Sequence, residues 1–308
     1  MGMRVFLTGA SGYLGSVLAR CLAADAAVEV VTGLHRADPP APLPPRVRLV
    51  KMDMRSPDVE AAMAGHDVVV HTAFIVLWPA GMPAAERDDI NLNGVRNIAR
   101  AAAANHVRCF LQASSVAAYD PLLATGQTGL AEDTPICEGG SSFYYSNGKA
   151  LAERSLTEIL GPTGTRLTFL RISNIIGPYN RVTLQAYRAA AANFRGRDPR
   201  VQYIHEDDVT AAFMLALHHD MPGAYNVVPD DFTRLSEVWD VLGLENVRTV
   251  PFWLASLITA IRWRFFGSPT HSSWVRAALD DATFSNAKLR AAGWVPRYRS
   301  SDALRTAL

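Results

Sequence analysis

The chain has 308 residues, 49% of them hydrophobic, with a formal net charge of +1 at pH 7. That is enough for one large or two interlocked domains with a substantial core, and the near-neutral balance, without runs of like charge, gives no electrostatic footprint for nucleic acid or an anionic membrane. Three widely spaced cysteines, Cys21, Cys109 and Cys137, lack metal-ligand spacing and argue against a disulfide framework, so a small-molecule partner, no metal and a reducing cytoplasm are expected.

Along the chain, short apolar runs recur, each followed by an alanine-rich stretch with helical spacing: "RVFLT", "VEVVTGL", "RVRLV", "DVVVHTA", "CFLQAS" and "RLTFLRI". Continuous rather than alternating apolar runs predict strands covered on both faces, and strand–helix alternation predicts an α/β fold with a doubly wound parallel sheet. The N-terminus runs straight into the first strand, with no small-residue cleavage site, so no signal peptide is expected. Between the second and third strands, "ADPPAPLPPR" is too rich in proline for a helix and reads as an extended loop.

"TGASGYLG" sets Gly9, Gly12 and Gly15 between the first strand and the first helix, with Ser11, Tyr13 and Leu14 among them. Glycines there let the backbone approach a pyrophosphate, whose charge the free N–H groups of the helix N-terminus favour. At the end of the second strand, where an NAD enzyme needs a carboxylate for the ribose hydroxyls, stand His35 and Arg36. The absent carboxylate and present arginine favour NADP; the alternative is NAD, with Asp38 serving the ribose and Arg36 merely solvated.

In "SSFYYSNGKALAE", residues 141–153, two tyrosines precede one lysine. Four residues on from Tyr144 is Gly148, whereas four on from Tyr145 is Lys149, and positions i and i+4 share a helix face. A phenol of ordinary pKa ~10 is a poor proton shuttle, and an adjacent ammonium favours phenolate, so Tyr145 is the candidate general acid/base and Lys149 its tuning cation. Tyr144 reads as a packing or pocket-wall residue.

After about residue 178 the pattern loosens into helical stretches and isolated strands, "RVQYIH" and "GAYNVV" among them, read as a smaller lobe with segments returning to the sheet. Residues 251–266, "PFWLASLITAIRWRFF", are the most apolar segment. They read either as a lobe helix on the core or pocket, or as an interfacial membrane helix with Arg262 and Arg264 near one end; they are too short to span a bilayer.

These motifs together resemble the extended short-chain dehydrogenase/reductases of the epimerase/dehydratase type, whose glycine spacing is GxxGxxG. The resemblance continues through Asp53 and Met54 in "KMDMR", "VHTA" at 70–73, "NLNGVRN" at 91–97, "SSVAAY" at 114–119, "YSNGK" at 145–149 and "LRISNIIGP" at 170–178. It implies a Rossmann-type dinucleotide-binding domain over residues 1–178, with 201–218 returning to it, and a substrate lobe over 179–308. Asp53 would then meet the adenine, Thr72, Ala73 and Phe74 would lie under the cofactor, and Lys149 would hold the nicotinamide ribose. Ser115 matches the family's catalytic serine, with Ser114 its competitor, and Asn91 the asparagine that supports the lysine or its water; a helix-bending asparagine is the other reading. Homodimerisation through the helix after Asn91 and the helix bearing Tyr145 is also implied.

Departures from the family pattern narrow the chemistry. Ser115, Val116 and Ala117 stand where dehydratases carry Thr-Asp-Glu, which disfavours elimination of water. Nucleotide-sugar epimerases place an arginine four residues before the histidine of "VQYIHEDDV", where this chain has Val201, with Arg200 one residue out of register. His205, Asp207 and Asp208 are then expected to be structural. In the loop "FIVLWPAGM", Phe74, Ile75, Leu77 and Trp78 are expected to line an apolar pocket, together with Tyr144, Asn174 and Ile175; core or dimer contacts are the competing use. The expected function is NADP(H)-dependent hydride transfer at a carbonyl or alcohol carbon of a moderately apolar compound. The alternatives are an NAD-dependent nucleotide-sugar 4-epimerase and a non-catalytic dinucleotide sensor.

Overall fold

A computed structural model describes residues 2–308 apart from 40, 181–184, 186, 187, 189, 190, 269 and 280. Its centre is a parallel sheet of seven strands: β1 (Met3–Thr8), β2 (Val28–His35), β3 (Val47–Lys51), β4 (Val68–His71), β5 (Cys109–Ser115), β6 (Arg166–Ile172) and β7 (Gly223–Val227). The order across the sheet is β7-β6-β5-β4-β1-β2-β3. Chain order reverses direction between β1 and β4, which opens a crevice at the carboxyl ends of those strands where α/β folds bind ligands.

Why the apolar runs are continuous is visible strand by strand. Val5 and Leu7 of β1, Val68 and Val70 of β4, and Cys109 and Leu111 of β5 face one core, against Leu18 and Leu22 of helix α1 (Tyr13–Ala24) and Phe213 and Leu217 of helix Glu206–His218. The alternate residues, Phe6, Val69 and Phe110, face a second core. That side is closed by α2 (Val59–Met63), α4 (Gly94–Ala104) and α6 (Tyr144–Leu160); the short α3 (Ala84–Asp88) and α5 (Pro121–Ala124) fall between them in chain order only. A period of two with both faces covered needs apolar residues at every position.

Two lobe segments behave differently from one another. "GAYNVV" supplies β7, paired to β6 from Gly223↔Thr168 to Val227↔Ile172, so the chain returns to the sheet beyond the expected 201–218. "RVQYIH" instead splits into Arg200–Val201, antiparallel to Thr233–Arg234, and Tyr203–His205, parallel to Asn174–Ile176. Its His205 and acids are structural here: the His205 Nδ1 accepts from the Asp207 N–H, and the Asp208 carboxylate accepts from the Arg297 and Tyr298 N–H groups. The lobe has a core of its own around Ile176, Tyr203, Val238 and Leu304.

The apolar segment forms helix Phe252–Phe266, yet none of its residues is buried. Among the described residues no helix is long and apolar enough to cross a membrane.

Candidate active site

The glycine turn follows β1 directly. Gly9 has φ +73°, a left-handed conformation that favours glycine, and its N–H donates to the Leu34 carbonyl at 3.0 Å. A Cβ on Gly15 would stand 2.0 Å from the Gly9 carbonyl oxygen, so the turn and the start of α1 close only without a side chain there. Helix α1 is capped at its start by Gly12, with no side-chain hydrogen bond, and carries no acidic residue in its first turn. Its free N–H groups and dipole therefore face the crevice uncompensated, which fits a pyrophosphate. Ser11, Tyr13 and Leu14 line the same crevice.

The β4 end seats against this turn. The Thr72 hydroxyl donates to the Thr8 carbonyl at 2.7 Å, and a Cβ on Gly9 would come within 2.9 Å of the Ala73 nitrogen. At the β2 end, His35 is buried, with its ring Nδ1 2.9 Å from the Ala37 carbonyl. Arg36 is exposed and borders the cavity, whereas Asp38 is not among the lining residues. Asp53 and Met54 also border it, but the Asp53 carboxylate is held from both sides by Arg55, at 2.9 Å to Nε and 2.7 Å to Nη2. The Arg55 hydrogen bonds keep the Asp53 carboxyl below its ordinary range. Reaching an adenine amine would require Asp53 to share an oxygen with that guanidinium.

A single cavity of about 840 Å³ runs from this turn past Ser115, Tyr145 and Lys149 into the lobe. The two serines at the end of β5 separate cleanly. The Ser114 hydroxyl donates to the buried Glu153 carboxylate at 2.5 Å, which is itself paired with Arg171 at 2.8 Å, so Ser114 belongs to a structural network. Ser115 is tied to backbone instead, accepting from the Ala117 N–H at 3.1 Å and donating to the Ile172 carbonyl at 3.2 Å, and its hydroxyl lowers the Tyr145 pKa by hydrogen bonding.

Helix α6 sets Tyr145 and Lys149 one turn apart on the cavity side, as the spacing predicts. Their electrostatics differ from expectation. Burial pushes the Tyr145 phenol up to about 12, against the Ser115 hydrogen bond. Burial also pulls Lys149 down to about 7, opposed by Glu153. Burial rather than the ammonium sets the phenol, and the Lys149 Nζ lies 5.6 Å from the Tyr145 ring centre. Instead Lys149 donates to the Ala113 carbonyl at 2.8 Å and sits 4.1 Å over the Phe74 ring. A Cβ at Gly148 would be 3.1 Å from Phe74 Cζ, so the glycine of "YSNGK" lets that ring approach.

Asn91 lies in a turn of π-helix, Asp89–Asn93. It clamps the pocket loop, accepting from the Ile75 N–H at 2.7 Å and donating to the Ile75 carbonyl at 3.2 Å. Trp78 and Tyr144, expected to line the pocket, are instead packed behind its wall. Trp78 turns toward Trp263 and His271, with ring centres at 5.3 and 5.0 Å, and Arg87 stacks on it at 4.2 Å. The Tyr144 hydroxyl donates to the Val76 carbonyl at 2.7 Å and accepts from the Trp274 indole at 2.9 Å. Phe74, Ile75, Leu77, Asn174 and Ile175 do border the cavity.

Residues missed in the sequence are aromatic: Phe143, Phe194, Trp239, Trp274 and Phe284 also line the cavity, with the Phe143 and Trp274 rings 5.8 and 5.4 Å from that of Tyr145. Another is Glu206, a buried carboxylate that accepts from the Tyr13 hydroxyl and fills the space left by the missing side chain of Gly177. The glycine in "IIGP" was the available signal for it. Among the described residues no group of His, Cys, Asp and Glu is arranged to hold a metal.

The model of the NAD dependent epimerase/dehydratase family matches residues 5–227. The chain belongs to that family. Epimerase/dehydratase proteins are short-chain dehydrogenase/reductase-type enzymes built on the sheet described above. An uncharacterised protein of Mycobacterium tuberculosis is 27% identical over 251 residues, 76% of this chain and 64% of that one, so the match spans less than two thirds of the curated relative. The 3-beta-hydroxysteroid dehydrogenase of Mycolicibacterium neoaurum is 26% identical over 239 residues, 71% of this chain and 62% of that one. The UDP-glucuronic acid 4-epimerase of Bacillus cereus, solved in complex with NAD, shares the fold at a TM-score of 0.76 with 17% identity, over 99% of this chain and 97% of that one.

Proposed function

We propose that this member of the family is an NADP(H)-dependent oxidoreductase that moves a hydride to or from the carbonyl or alcohol carbon of a moderately apolar small molecule. The observation that carries the reading is one continuous cavity lined by the glycine turn, by Ser115, Tyr145 and Lys149, and by a set of aromatic side chains. The nicotinamide, when bound, supplies or accepts the hydride. Tyr145 gives a proton to the carbonyl oxygen in reduction and takes one from the alcohol in oxidation. The Ser115 hydroxyl orients that oxygen, and Lys149, anchored on the Ala113 carbonyl, grips the ribose and stabilises the phenolate as it forms. Asn91 acts through the loop it fixes, as a positioning residue.

Support for NADP over NAD is the exposed Arg36 at the rim of the cavity, where Asp38 does not reach. A nucleotide-sugar 4-epimerase using NAD is the second reading, favoured by the fold shared with the Bacillus cereus enzyme. Against it stands Arg200, whose guanidinium is held by Asp281 at 2.7 and 3.0 Å rather than free to clamp a diphosphate. Retention of both Tyr145 and Lys149 weighs against a non-catalytic sensor. Helices α4 and α6 are the proposed homodimer contact on the family resemblance, through the sides left outside the core that Ala99, Ala101, Ala102 and Ala152 fill, and the three unpaired cysteines accord with a reducing cytoplasm.

The test is to denature freshly purified protein, identify any released dinucleotide by mass, and titrate the emptied protein with NADPH and NADH. An exchangeable site that prefers NADPH is expected. Tightly retained NAD⁺ would favour the epimerase and make Arg36 a bystander.

A further inference from the structure

Helix Phe252–Phe266 presents its apolar side outward. Trp253 is 65% exposed, Leu257 50%, Ile258 45%, Ile261 42%, Phe265 72% and Phe266 77%. At about 100° per residue, Leu257, Ile261, Phe265 and Ile258 fill one sector of roughly 100°. Arg264 flanks that sector on one side and Arg262 on the other, both exposed. The opposite side of the helix faces the protein, where the Trp263 indole donates to the Trp78 carbonyl at 2.8 Å.

We infer that this face docks on the surface of an anionic phospholipid bilayer. Charge supports that occupant: residues 246–279 contain four arginines, Arg248, Arg262, Arg264 and Arg276, and no aspartate or glutamate, an imbalance hidden by the chain's overall +1. All four are exposed. An exposed apolar sector carrying Phe265, bordered by arginines long enough to keep their heads in water, fits a helix lying in the headgroup region. Size argues against a second copy of the chain as the occupant. Fifteen residues make a helix ~22 Å long and about 10 Å wide, a face of a few hundred Å², well short of the roughly 800 Å² per partner of a stable interface. The helix also lacks the length to cross a bilayer. Because it braces the Trp78 loop, whose neighbours Ile75 and Leu77 line the cavity, docking would bring the substrate end to the place where a poorly water-soluble compound collects. That last consequence rests on the proposed function; the docking itself does not.

The experiment is flotation of the full chain, without substrate or dinucleotide, with vesicles of phosphatidylcholine alone and of phosphatidylcholine containing phosphatidylglycerol. Flotation with the phosphatidylglycerol vesicles is expected, reduced at least tenfold by Ile261→Glu/Phe265→Glu, and weakened by Arg262→Glu/Arg264→Glu and by high salt. Unchanged thermal unfolding and NADPH binding of these surface variants keep the comparison interpretable. Absence of flotation, equal flotation with uncharged vesicles, or persistence in the apolar double variant overturns the inference. So does a dimer, seen by sedimentation, that Ile261→Glu/Phe265→Glu dissolves, since the face then belongs to a second copy.

Discussion

The dinucleotide end and the substrate end of the cavity are made from different materials. The first is backbone: a strand, a tight turn and a helix N-terminus contiguous in sequence between Met3 and Ala24, shaped by what Gly9 and Gly15 lack. The second is side chain: Phe143, Phe194, Trp239, Trp274 and Phe284 arrive from segments spread over more than a hundred residues. A site built from backbone tolerates almost no change at a few positions, whereas one built from side chains can be re-cut residue by residue. The proposed chemistry is on α6, with Tyr145 lining the cavity and its neighbour Tyr144 spent on holding the loop at Val76.

The largest effect should come at the backbone end. Gly15→Ala places a Cβ 2.0 Å from the Gly9 oxygen, and either the turn opens or α1 shifts. Dinucleotide affinity measured by calorimetry should fall by about a hundredfold or more; near-wild-type affinity would deny that close packing shapes the site. Next in size is Arg36→Ala. Loss of one charge-assisted hydrogen bond is worth about 1.5–3 kcal/mol, or ten- to a hundredfold in NADPH affinity, with NADH little changed. Equal losses for both cofactors would show that Arg36 acts on something other than a 2′-phosphate.

pH sharpens the contrast further. Lys149 is charged below about 7 and neutral above it in the free protein, so kcat/KM for carbonyl reduction should fall as pH rises through that value, when the cation that stabilises phenolate disappears. A flat profile between pH 6 and 9 would remove Lys149 from the chemistry. A further contrast concerns stability rather than activity. His71 is fully buried beside Thr8, and burial, with the nearby Lys149 charge, holds it at about 3, below its ordinary 6.5. Between those values the unfolded chain carries a proton that the folded one does not. Stability should therefore fall with falling pH across that window, by up to ~1.4 kcal/mol per pH unit from this group, and His71→Gln should flatten the slope in denaturant titrations.

Much of the sheet could be read from the sequence because its strands are buried on both faces, and continuous runs such as "VFLT" and "VVVH" permit few other uses. β7 was harder: "GAYNVV" carries the same composition but follows a stretch without strand–helix alternation. The helix spacing distinguished Tyr145 from Tyr144, yet could not weigh burial against an ammonium charge, and burial dominates both groups. Nor could local sequence choose between Ser114 and Ser115, since the choice is made by Glu153 and Arg171, far along the chain. Trp78 looked like a pocket residue because it is aromatic and near the β4 end; Arg87, Trp263 and His271 give it a better home outside the cavity. Helix Phe252–Phe266 misleads for the opposite reason, being apolar in composition and exposed in fact.

The most direct test of the central proposal is hydride transfer from NADPH to a panel of apolar ketones and aldehydes, followed by loss of NADPH absorbance for the wild type and for Tyr145→Phe in parallel. The account predicts turnover by the wild type and a loss of about a thousandfold or more in Tyr145→Phe, with NADPH affinity nearly intact. Turnover that survives in Tyr145→Phe, or a wild type that reduces none of the panel while interconverting UDP-sugars on retained NAD⁺, would contradict it.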